Sequence, residues 1–85
     1  MTGIEVPSVL KALRLLAAGD FDGAHVLVQD DPSREAAWVH AHLHRVEGDL
    51  SNAGYWYRRA GKPQASNSLE DERQEIQRAL SEATG

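Results

Sequence analysis

A chain of 85 residues has room for one hydrophobic core, because a domain this small buries only a little over roughly 60% of the surface its unfolded chain exposes. With 41% hydrophobic and 26% charged residues and no cysteine, it reads as a globular domain held by apolar contact, which excludes disulfides and thiolate metal ligands. The formal net charge of −4, with a basic cluster no larger than Arg58, Arg59 and Lys62, excludes the broad positive field that a nucleic-acid duplex requires.

The chain opens on "MTGIEVPS", which lacks the basic start and apolar core of a secretory leader, so a cytoplasmic location is expected. A first helix is predicted over residues 7–18. Its apolar run "LLAA", Leu15 to Ala18, is far short of a membrane span. Gly19 and Asp20 follow, a residue suited to the left-handed end of a helix and then a side-chain oxygen suited to cap the next one. That next helix is predicted over 21–29. "DDPSRE", Asp30 to Glu35, is a break and a restart, with aspartate before a first-turn proline. A third helix then covers 33–47, and Gly48 and Asp49 repeat the earlier corner before a fourth over 51–60. "GKPQASNS", Gly61 to Ser68, reads as a loop. Ser68 with Asp71 resembles a capping box for a last helix over 69–83, in which Leu69, Ile76, Leu80 and Ala83 share a face and Glu70, Asp71, Glu72, Glu75 and Glu82 supply the polar side. No run of alternating β-branched residues predicts a strand.

The two corners belong to a repeat. "AAGDFDGAHVLV", Ala17 to Val28, and "VEGDLSNAGYWY", Val46 to Tyr57, align Gly19, Asp20, Phe21 and Ala24 with Gly48, Asp49, Leu50 and Ala53 at an offset of 29 residues. Such a period decides the architecture. The small Ala24 and Ala53 allow the helices of each pair to approach closely. Together with Pro32 and Pro63 closing each unit and "WYRRA" at Trp56 to Ala60, this pattern resembles the tetratricopeptide repeat and the related Sel-one-like repeat over about residues 10–63. The whole chain is also similar to small bacterial proteins carrying a "WVHAxLHRxEGDLxNAxYWYRRAG" block. The resemblance implies an all-α protein with two antiparallel helical hairpins, residues 7–32 and 33–63, in a right-handed stack. Residues 64–85 supply a loop and a helix that caps the exposed end of the second hairpin.

Helix three holds the densest candidate chemistry. At about 100° per residue, Ala36, Val39, Leu43, Val46 and Leu50 form its apolar stripe. His40, His44 and Glu47 follow one edge; Trp38, His42 and Arg45 follow the other. The i, i+4 spacing of His40 and His44 suits two ligands of one metal ion, with Glu47 as a third and His25 as a cross-helix addition. Ala41 stands where a zinc protease would carry its glutamate, so no general base is built in. The reading preferred from sequence is that His40 and His44 are hydrogen-bonded packing residues between helices, with metal binding as the alternative.

"YWYRR", Tyr55 to Arg59, sweeps its three aromatics around too wide an arc to face one core. Tyr57 is the core candidate, Trp56 is expected against the last helix, and Tyr55 is the exposed one. With no nucleophile at motif spacing from a base and no phosphate-cradling glycine loop, a noncatalytic function without cofactor is expected. The function expected from sequence is a protein or peptide interaction module. Trp38, His42, Arg45, Tyr55, Arg58 and Arg59 line its groove edge for an acidic or carboxylate-bearing partner. Metal binding at the histidines and self-association of two chains are the alternatives.

Overall fold

The computed structural model describes residues 8–84, with side chains through Ser81. Pro7, expected to open the first helix, and the side chains of Glu82 and Ala83, expected on the last, lie outside what is described. Five helices follow in order: α1 (Ser8–Ala17), α2 (Phe21–Gln29), α3 (Arg34–Val46), α4 (Leu50–Ala60) and α5 (Leu69–Thr84). There is no strand among the described residues, and no helix is long and apolar enough to cross a membrane.

The corners explain the order. After α1, Asp20 N–H donates to Leu15 C=O at 2.8 Å and Gly19 N–H to Leu16 C=O at 2.9 Å. After α3, Asp49 N–H donates to His44 C=O at 2.8 Å and Gly48 N–H to Arg45 C=O at 3.1 Å. This paired closure of the last carbonyls needs a left-handed residue, and Gly19 and Gly48 sit at φ 90° and 84°. Each aspartate then turns its side chain to the new helix: Asp20 accepts from Gly23 N–H at 2.9 Å and Asp49 from Asn52 N–H at 3.3 Å. The restart before α3 differs from expectation in its cap. Ser33, not the aspartate before Pro32, accepts from Ala36 N–H at 3.1 Å, while Asp31 accepts from Ser33 N–H. Ser68 Oγ accepts from Asp71 N–H at 3.0 Å where α5 begins.

Each short corner folds its helices back on each other, so α1 packs on α2 and α3 on α4, with α2 lying against α3. Ala24 and Ala53, fully buried, stand in these pairings as their size requires. The last helix does not simply close the second pair. It lies against α3 and also reaches α1, bracing the two pairs together. Val9, Leu13, Val28, Val39, Leu43, Ile76 and Leu80 are the larger aliphatic members of the core. The stripe on α3 ends early, since Ala36, Val39 and Leu43 are buried but Val46 is exposed, and Leu50, at 58% exposure, already belongs to α4.

Candidate functional site

Helix α3 has polar side chains along both edges, and the fold treats the two edges differently. On the edge facing α5, the carboxylate of Glu72 is the common acceptor. Its Oε1 lies 2.8 Å from His42 Nδ1 and 2.9 Å from Arg45 Nη1. Its Oε2 accepts from Tyr57 Oη at 2.5 Å and Trp38 Nε1 at 3.3 Å. Glu72 and His42 are each only 1% exposed. Burial alone would raise the carboxyl pKa, but the hydrogen bonds from His42, Tyr57 and Arg45 outweigh it and bring the pKa to about 2. Burial, with the Glu72 carboxylate beside it, pushes the Tyr57 hydroxyl up. Arg45 also reaches the side chain and backbone oxygens of Asn67, tying down the loop before α5.

This network corrects two expectations. Glu72 is not on the polar side of α5; it shares the buried face of Ile76 and Leu80, while Glu70, Asp71 and Glu75 remain exposed. Trp38 and His42 are buried and Arg45 is turned inward onto Glu72, so these three do not join Tyr55, Arg58 and Arg59 in one open groove. Lys62 Nζ lies over the Trp38 ring, 4.1 Å from its centroid, and covers what that ring would have presented.

The other edge of α3 faces α2 and α4. There His40 and His44 stack, centroids 4.9 Å apart, and His25 from α2 meets them edge-on at 4.7 and 6.0 Å. One nitrogen from each of the three rings lies within 4.8 Å of the others. Trp56 stacks on His40 at 3.9 Å, not against α5, because α4 turns that side of its helix to α3. The interhelical hydrogen bonds expected for His40 and His44 are not what forms. His44 Nδ1 pairs with Glu47 at the end of its own helix, 2.5 Å away. His40 Nδ1 is buried with no hydrogen-bond partner. Burial, with His25 and His44 alongside, holds the His40 imidazole at a pKa of about 4, so it is neutral at ordinary pH.

Three clustered imidazoles, one of them with an orphaned nitrogen, are suited to a transition-metal ion. In a tetrahedral site, ligand nitrogens about 2.0–2.1 Å from the ion stand roughly 3.4 Å from one another. A second carboxylate-bearing group, His44, Glu47 and Asp49, shares His44. Asp49 is committed elsewhere, its Oδ1 to Asn52 N–H and its Oδ2 to Asn52 Nδ2 at 2.6 Å, and those bonds lower its pKa.

Tyr55, Arg58 and Arg59 occupy the outer surface of α4. Tyr55 is 44% exposed and accepts from Arg59 Nη1 at 3.2 Å. The Arg59 guanidinium also lies 5.4 Å from the centroid of Trp56. Among the described residues no carboxylate pairs with Arg58 or Arg59.

No protein-family model, curated protein or solved structure matches this chain.

Proposed function

We propose that this protein binds one divalent transition-metal ion through His25, His40 and His44. The observation that carries the reading is that three imidazoles from two helices each bring one nitrogen within 4.8 Å of the others, in a cluster whose His40 also has a buried Nδ1 without a hydrogen-bond partner. A buried polar atom left in that state is unfavourable, and an ion with nitrogen affinity removes the penalty. Glu47 supports it from outside: a carboxylate on Nδ1 of His44 fixes the ring's orientation and raises the basicity of Nε2, the nitrogen left for a metal. Imidazole ligands without thiolate favour zinc, copper, nickel or cobalt over magnesium or calcium. Calorimetry with zinc, copper and nickel salts tests the proposal. One submicromolar site per chain is expected, lost in both His25→Ala and His44→Ala; no binding, or binding indifferent to both substitutions, overturns it.

A second reading rests on a different surface. Arg58 and Arg59, unpaired with any described carboxylate and flanked by the exposed Tyr55, suit docking of an acidic or carboxylate-bearing protein segment, which is how a noncatalytic helical-repeat module of the tetratricopeptide type would act. Trp38, His42 and Arg45 have no part in this smaller edge. A pull-down comparing the native chain with the double variant Arg58→Ala, Arg59→Ala decides it: partners retained equally by both leave the edge without a role.

A further inference from the structure

Resting on the metal-binding reading, we infer that the ion's fourth coordination position is not filled by the protein and takes an exchangeable small monodentate anion. Among the described residues the donors that converge are three, and two of them, His25 and His44, are partly exposed while His40 is buried beneath Trp56. An ion held by these rings therefore has a protein-facing side and a solvent-facing side.

Among the described residues the candidates for a fourth protein ligand are the two carboxylates beside His44, and each is engaged. Glu47 has an oxygen on His44 Nδ1 at 2.5 Å, the outer-sphere position that orients a ligand rather than the inner one. Asp49 has both oxygens on Asn52 while its own backbone N–H closes the α3 corner onto His44 C=O. Drawing Asp49 to the ion would uncap α4 at its first turn.

Coordination by three neutral imidazoles leaves the full charge of a divalent ion uncompensated. The open position then holds water, or an anion that displaces it, which is the arrangement of sites that exchange ligands rather than sites that only brace a fold. Glu47, about two-fifths exposed and held on His44 Nδ1, is an outer-sphere carboxylate of the site. Its negative charge favours small monodentate anions over large or multiply charged ones.

Cobalt-loaded protein provides the test, because the visible spectrum of cobalt(II) reports both its binding and any change in its ligands. Titration with sodium azide and, separately, sodium acetate is expected to shift the spectrum saturably, at an unchanged ratio of one cobalt per chain. The Glu47→Gln variant should bind cobalt about 10–100-fold more weakly and keep the anion response. Cobalt bound one to one with a spectrum indifferent to both anions means a closed site and overturns this inference while leaving the metal-binding proposal standing. A response appearing only in Glu47→Gln identifies Glu47 as the fourth ligand and overturns it equally. Failure to bind cobalt at all removes the metal-binding proposal, and this inference with it.

Discussion

The two edges of α3 carry similar residues and end in opposite states. Toward α5, Trp38, His42 and Arg45 converge with Tyr57 on one carboxylate, and each has found its partner. Toward α2 and α4, His40 stacks between aromatic rings with a nitrogen left over. A saturated buried network rigidifies and specifies a fold, whereas an unsaturated one costs stability unless something binds. The difference separates a structural edge from an edge with spare chemistry.

The largest effect should come from removing the shared acceptor. Glu72→Ala leaves a buried histidine, tyrosine and tryptophan donor without a partner and Arg45 with Asn67 alone, and should destabilise the protein by about 3–5 kcal/mol. Urea unfolding measures it, and a loss below about 1 kcal/mol would mean the network is not what holds α5 in place. Acid should act next. Glu72 has a folded pKa of about 2 against an ordinary carboxyl value of 4.5, so its contribution is present above pH 4.5 and is lost as pH falls toward 2. The full shift corresponds to roughly 3 kcal/mol as an upper bound. His40, lowered from 6.5 to about 4, has the same sign in an earlier window: the unfolded chain binds its proton first, so stability falls between pH 6.5 and 4. Urea midpoints measured from pH 7 to pH 2 should decline in these two overlapping stages, and His40→Phe should remove the earlier one.

A matched pair of substitutions sharpens the contrast. His42→Phe strips Glu72 of a charge-assisted hydrogen bond and should cost about 1.5–3 kcal/mol. His40→Phe keeps the stack on Trp56, discards the orphaned nitrogen, and should change metal-free stability by less than about 1 kcal/mol, in either direction. The two thermal midpoints, taken in chelator, test the pair; equal losses at both positions would erase the distinction between the edges. The smallest stability effect belongs to Glu47→Gln, on the exposed end of α3, at about 0.5 kcal/mol or less. Thermal denaturation in chelator measures that change.

Some of this arrangement could be read before any coordinates. Gly19 and Gly48 announced the corners because a left-handed residue followed by a capping aspartate is a local device, needing nothing beyond its own few residues. Tyr57 was recognisable as core, as were Ile76 and Leu80. Glu72 was missed, although a signal existed: it falls four residues before Ile76 and eight before Leu80, on the apolar face of α5 rather than among its acidic neighbours. A carboxylate at such a position needs buried donors, and three side chains with polar tips along one edge of α3 were available to supply them. The destination of Trp56 had no comparable signal, since the angle between α3 and α4 decides whether it meets His40 or α5.

The amino-acid order alone determined five helices, the caps of α2, α4 and α5 and the places where the chain turns back, since hydrogen bonds spanning three to five residues govern all of these. The pairing of helices was decided only in the tertiary structure, and with it the sorting of four histidines into one bound to Glu72 and three gathered near Trp56. Helical spacing places side chains around a single axis. It carries no information on which face of another helix will meet them, and that meeting sets the burial, the partner and the proton affinity of every group in both clusters.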